Sequence, residues 1–351
     1  MLTRTDDGSV VDDDGRVMHF SVGRFIQDIC EGDCCFICGA APGTETFSDE
    51  HIIPDWILRR FELGDRLLGL PNDSNFQYKK YVIRCCEACN NKMGIEIETP
   101  ISALVARGHA AINDYLAKNG PWLFFIWLNL IFLKTHLKDR SFRLHQDRGK
   151  QGGYLADHYT WEEFHHIHCV ARSFFTRAHL EPSVLGSFFI LPAKHIHGFE
   201  DFDYRDLYEA KTVLLRLGET AFICVLTDSW AVWNVLMDFL RRISGPLSPI
   251  QLREFMAHAA SIYLHLKHQP QFSSKFELEK DQHVIRGDHS EKVELNDIDP
   301  SVFGAILETG CGEILDILDP RRTKEIRGFM REGRWACLFD QGGRFIRNSM
   351  E

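Results

Sequence analysis

Two short cysteine pairs, Cys35-Phe36-Ile37-Cys38 and Cys86-Glu87-Ala88-Cys89, stand about fifty residues apart and bracket the run Asp49-Glu50-His51-Ile52-Ile53-Pro54. Four thiolates in two C-x-x-C pairs match the closed tetrahedral ligand set of a structural zinc ion. Binding of that ion supplies folding energy that a small loop-rich module cannot draw from its core. The spacing predicts Cys35, Cys38, Cys86 and Cys89 as Zn2+ ligands. Cys34 and Cys85 each precede a pair and offer a shifted frame. Gly39 directly after the first pair suits a tight knuckle and favours the inner frame, with Cys34 and Cys85 as buried flanking thiols.

The acidic residue and histidine between the pairs turn a zinc clip into a candidate active site. Hydrolysis of a phosphodiester needs an activated water, a cation to neutralise charge growing on the phosphoryl oxygens, and stabilisation of the departing 3′-oxygen. His51 suits the first task, because histidine exchanges its proton near neutral pH. Glu50, its neighbour, is placed to hold Mg2+ or Mn2+ through carboxylate oxygen while pointing away from the histidine, as successive side chains on a strand do. Asp49 is its rival. Magnesium keeps several waters and takes one or two protein groups, so a sparse ligand set is sufficient.

In chain order, Cys35-x-x-Cys38-Gly39, Glu50-His51-Ile52-Ile53-Pro54 and Cys86-x-x-Cys89-Asn90-Asn91 resemble the HNH endonuclease family over residues 30–100. The resemblance implies a ββα-metal motif on a treble-clef-like zinc scaffold. It implies Asn90 as the second protein ligand of the catalytic divalent ion, with Asn91 as rival, and His51 as general base. The substrate it implies is DNA, cut by water attack to 5′-phosphate and 3′-hydroxyl ends, with a monomer nicking one strand. Relatives with long appended regions often serve restriction or phage defence, which implies protein partners of a defence system. One departure stands out. The family carries an asparagine shortly before the second cysteine pair to orient the base, where this chain reads Lys80-Tyr81-Val82-Ile83-Arg84; Asn72 and Asn75 lie further upstream. Two other functions fit the same residues: a non-catalytic zinc module binding nucleic acid or protein, and a ribonuclease.

A net charge of -10 is unexpected for a protein that approaches a polyanion, since phosphate neutralisation by lysine and arginine dominates such affinity. Either Arg59, Arg60, Arg66, Lys79, Lys80, Arg84 and Lys92 form a local basic face, or they belong to a mixed solvated surface and a partner delivers the substrate. The first residues lack the basic start and apolar run of a secretory signal. With eleven cysteines, this points to reduced thiols and a cytoplasmic location. The most apolar stretch, Trp122 to Leu133, is broken by Asn129. It falls short of the roughly 20 residues of a membrane span and predicts a buried helix.

The expected fold is α+β: a hairpin extension over 1–29, the zinc-stabilised module over 30–100, and a larger mixed helical and antiparallel β domain over 101–351 for recognition or regulation. Val10 to Phe20 predicts a hairpin around Asp14-Gly15, and Pro54 to Phe61 a short helix. A helix opening at the second cysteine pair runs to about Glu98, where Thr99-Pro100 interrupts it. Further on, strands are expected at Phe188 to Leu191, Thr212 to Leu217 and Ala221 to Leu226, the last two joined through Gly218-Glu219. Capping boxes are expected at Thr160 and Ser248, and a terminal hairpin at Trp335 to Ile346. His165, His168, His195 and His197 lack an accompanying Glu-x-x-His pattern and read as surface or hydrogen-bonded histidines. Trp230, Trp233 and Phe239 read as core packing.

Overall fold

The computed structural model describes residues 2–147, 149–150, 152–277, 280, 282–288, 292–318 and 323–347. It is a mixed α+β structure of two compact units, each assembled from separated stretches of chain. The first unit joins 1–103, 122–182 and 272–286; the second joins 104–121, 183–271 and 287–351. This differs from a linear division at Pro100, and the physical reason lies in the long apolar helix described below, which supplies core to the first unit.

In the first unit, Val10–Val11 and Val17–His19 form the expected amino-terminal hairpin. Strands β1 (Phe47–His51) and β2 (Val82–Cys86) pair antiparallel, with Phe47 opposite Cys86 and His51 opposite Val82. Helix α1 (Glu87–Met93) begins directly after β2. The helical path does not stop at Thr99-Pro100: a π-type turn over Gly94–Glu98 leads into a helix over Thr99–Ala106. Pro100 lies inside this continuous path, directly after the π-type turn, whose Thr99 N–H still bonds the Gly94 carbonyl.

Helix α2 (Trp122–Asp139) is buried over most of its length, including Phe124, Trp127, Leu128, Ile131, Phe132 and Lys134. Asn129 does not break it, because its side-chain amide donates to the Phe125 carbonyl at 2.8 Å inside the core. Among the described residues no single helix is long and apolar enough to cross a membrane. Helix α3 (Phe164–Ala171) stacks Phe164 on Phe132 of α2. It opens from a 3-10 turn over Trp161–Glu163 with no side-chain cap from Thr160, so the expected capping box there is not formed. Strand Gln282–Asp288 pairs parallel with His179–Leu180 and adds a distant segment to this unit.

The second unit is built on an antiparallel sheet of β3 (Ser187–Pro192), β4 (Phe202–Leu207), β5 (Thr212–Leu217) and β6 (Thr220–Val225), in the order β4-β5-β6-β3. β5 and β6 turn through Gly218 at φ 64°, the left-handed geometry that a tight hairpin needs. Helix α4 (Ala231–Arg241) and helix α5 (Pro249–Leu264) pack on the sheet around Leu214, Ile223, Phe255 and Ala259, with Trp233 and Phe239 against that core. The Ser248 capping box of α5 is formed: its hydroxyl accepts from Gln251 N at 3.4 Å, and Gln251 Oε1 accepts from Ser248 N at 3.0 Å. Helix α6 (Pro300–Leu318) covers another face of α5 through Ile250, Ala257, Leu307 and Cys311. The terminal hairpin is reduced to a single bridge between Phe339 and Phe345.

The start of α4 depends on Asp228, which is fully buried. Its carboxylate accepts from Ser187 N at 2.7 Å, Ser187 Oγ at 2.5 Å and Val232 N at 2.8 Å, tying β3 to the helix. Asp228→Ala removes a cap and strands a buried strand N–H, so it should lower stability by about 2–4 kcal/mol, read from urea midpoints. Burial raises the Asp228 carboxyl to about 6 against the lowering effect of these hydrogen bonds. An unfolded aspartate titrates near about 3.9. The folded state therefore binds this proton more tightly, and the contribution present below about pH 4 is lost as pH rises through about 6. Asp228→Asn should flatten that part of the stability profile.

Candidate metal centre and active site

Cys35, Cys38, Cys86 and Cys89 are all buried, and their sulfurs lie within 4.8 Å of one another. Cys38 Sγ and Cys86 Sγ are 3.6 Å apart. Tetrahedral zinc with bonds of 2.3 Å sets its sulfurs about 3.8 Å apart, so the donor set fits the ion in both chemistry and spacing. The first pair is shaped by Gly39, whose φ is 78° and whose added Cβ would meet Val17 Cγ2 at 2.7 Å. Its N–H donates to the Cys35 carbonyl at 2.8 Å, while the Cys38 carbonyl accepts from Val17 N at 2.8 Å. The second pair straddles the junction of β2 and α1, which turns Cys86 and Cys89 toward the first. The inner frame is thus the one that converges. Cys34 is partly exposed and outside the cluster; Cys85 is a buried flanking thiol 3.7 Å from Cys35.

Strand alternation divides the acidic segment of β1 between two faces. Ser48 and Glu50 face inward: Asn90 on α1 donates its amide to Ser48 Oγ at 3.0 Å, and Glu50 Oε1 receives Lys134 Nζ at 2.6 Å. Lys134 also donates to the His51 carbonyl at 2.8 Å and stands 4.0 Å from Glu98. Burial pushes the Glu98 carboxyl up to about 7, against the pull of Lys134. Glu50 and Asn90 therefore share the inner face, with Ser48 between them. Asp49 and His51 share the other face; Asp49 is exposed and 4.0 Å from Arg84, and the partly exposed His51 ring has no hydrogen-bond partner among the described residues.

The cation fit on the inner face is partial. Glu50 has one oxygen taken by an ammonium, while Asn90 keeps its carbonyl oxygen available. Neither Asn72 nor Asn75 acts on His51: Asn72 bonds the Arg143 carbonyl at 2.7 Å, and Asn75 lies exposed on a short separate strand pair. Of the candidate basic residues, Arg59 pairs with Asp55, Lys79 with Asp65, Arg84 with Asp49 and Lys92 with Glu96. These pairs favour a mixed surface over a segregated basic face. Lys134 and Glu98 carry no motif signal; a lysine directly after the apolar run Trp122 to Leu133 is the available hint.

No family model, curated protein or solved structure matches the chain.

Proposed function

We propose that the chain is a metal-dependent endonuclease of HNH type acting on DNA, with Zn2+ in the four-cysteine site as a structural ion. The observation that carries this reading is the placement of Glu50 and His51 at the end of a strand paired antiparallel to the strand that leads, through the cysteine cluster, into the helix bearing Asn90. In this reading His51 takes the proton from the attacking water, its partly exposed ring having no hydrogen-bond partner among the described residues. Glu50 and Asn90 would hold Mg2+ or Mn2+, which would neutralise charge on the phosphoryl oxygens, and His51, on the opposite strand face, would reach the same phosphate around the end of the strand. Lys134 fixes the Glu50 carboxylate and limits it to one free oxygen. Restriction or phage defence, with partner-delivered substrate, follows from the resemblance and suits the acidic balance of the chain.

A second reading, a non-catalytic zinc module, is favoured by the same ion pair, since Lys134 already compensates Glu50. The test incubates purified protein with supercoiled plasmid and with RNA in Mg2+ or Mn2+, wild type beside His51→Ala. The ring is partly exposed, which makes this variant structurally mild. The expected outcome is plasmid nicking by wild type and a loss of about 10²–10⁴-fold in His51→Ala. Cleavage of RNA alone would move the substrate to ribonucleic acid. Absence of cleavage of either, or equal rates in both proteins, would overturn the nuclease reading.

A further inference from the structure

The end of α3 sets a positive charge against the wall of the first cysteine pair. Arg172, directly after the last residue of α3, is 1% exposed. A buried guanidinium is costly unless an opposite charge answers it. Among the described residues Arg172 makes no ion pair with an aspartate or glutamate, and its Nε has no hydrogen-bond partner. Its Nη2 donates to the Val17 carbonyl, and its guanidinium lies over the Phe20 ring, 4.7 Å from the centroid. Both residues wall the first cysteine pair: Val17 N donates to the Cys38 carbonyl at 2.8 Å, and a Cβ added at Gly39 would meet Val17 Cγ2 at 2.7 Å and Phe20 Cζ at 2.9 Å. One turn before Arg172, the buried His168 places Nε2 2.8 Å from the carbonyl of Phe36, which stands between Cys35 and Cys38.

The cysteine cluster has the complementary need. Four thiolates around Zn2+ carry a net double negative charge, which a buried site has to offset from within the fold. Burial pulls the Arg172 pKa down to about 10, while Cys169, Cys38, Cys35 and Cys89 act to raise it. Three of these four belong to the cluster. The other, Cys169, is anionic only when its thiol ionises, whereas a zinc-bound cysteine is deprotonated outright. Arginine suits the position because its delocalised charge is weakly hydrated.

We propose, on the reading of the four cysteines as a zinc site, that Arg172 is the counter-charge of that site: a positioning residue that stabilises the thiolates through the field of its guanidinium. Outer residues that support metal ligands typically set affinity by about 10–100-fold.

Zinc affinity of the full-length chain, measured by competition with a chelator of known strength, separates charge from packing. Glutamine keeps a donor for the Val17 carbonyl without the charge, and lysine keeps the charge. Expected are a fall of about 10–100-fold in Arg172→Gln, wild-type affinity in Arg172→Lys, and an all-sulfur zinc shell by X-ray absorption in both. The glutamine change should cost the same in a Cys169→Ser background; disappearance of its effect there would make Cys169 the anion that Arg172 answers and would overturn the assignment. Wild-type affinity in Arg172→Gln, or equal losses in the glutamine and lysine variants, would reduce Arg172 to a packing role. If Arg172→Gln does not fold, Arg172→Lys decides: wild-type affinity supports the counter-charge, and a loss of about tenfold or more removes it. A wild-type chain that takes up no zinc would instead remove the zinc reading itself, and the counter-charge with it.

Discussion

Cys38→Ser is expected to abolish metal binding by the four-cysteine cluster and, if that cluster holds the proposed structural zinc, to melt the strand pair and helix around it. Zinc in four-ligand structural sites contributes about 10–16 kcal/mol of apparent binding free energy, whereas whole domains are stable by about 5–15 kcal/mol. Losing one of four thiolates here therefore outweighs what local packing supplies. β1 and β2 are five residues each, and the segment between them buries Ile52, Ile53, Ile57, Leu58, Leu63, Leu70 and Tyr81. Amide exchange across Phe47–His51 and Val82–Cys86, with zinc content of the same sample, reads the outcome. Wild-type protein stripped by a strong chelator should show the same exposed amides. Cys34→Ser is the matched control and should change neither, since Cys34 lies outside the cluster. A Cys38→Ser protein that keeps wild-type protection would show that these thiols pack without an ion.

Lys134→Met should be the most damaging substitution in α2, at about 3–5 kcal/mol. The ammonium is 1% exposed, and its loss leaves the Glu50 carboxylate, 9% exposed, without its counter-charge and the His51 carbonyl without its donor. Methionine fits the volume, so the cost is electrostatic rather than a cavity. Adding Glu50→Gln should recover part of the stability, because most of the penalty belongs to the stranded charge rather than to the lost pair. If Glu50 also holds a divalent ion, Mg2+ should raise the melting temperature of Lys134→Met more than that of wild type. A single variant as stable as wild type would mean that the pair contributes nothing to the fold.

The cysteine frame was readable because its information is local: each pair spans four residues, and Gly39 directly follows the first. The central sheet of the second unit was readable for the same reason, since Gly218 lies between two strands that pair with each other. Pro100 was misleading, because a π-type turn just before it carries the helical path through, and nothing local in the sequence marks that turn. The inward side of Glu50 could not be read either. Its partner Lys134 lies 84 residues away, and no periodicity links that lysine to one carboxylate among fifty acidic residues. Arg172 lies further still from the Val17 carbonyl that it meets, and reads as one more basic residue until α3 is packed on the first cysteine pair.

The discontinuous make-up of the first unit has a consequence for synthesis. Its amino-terminal hairpin and cysteine pairs leave the ribosome early, but the strand Gln282–Asp288 emerges only after most of the second unit has been translated. At about 5–20 residues per second the early segments wait for tens of seconds before their last neighbour arrives. A nascent chain arrested before Phe272 should accordingly remain sensitive to protease within 1–103 even with zinc in the growth medium.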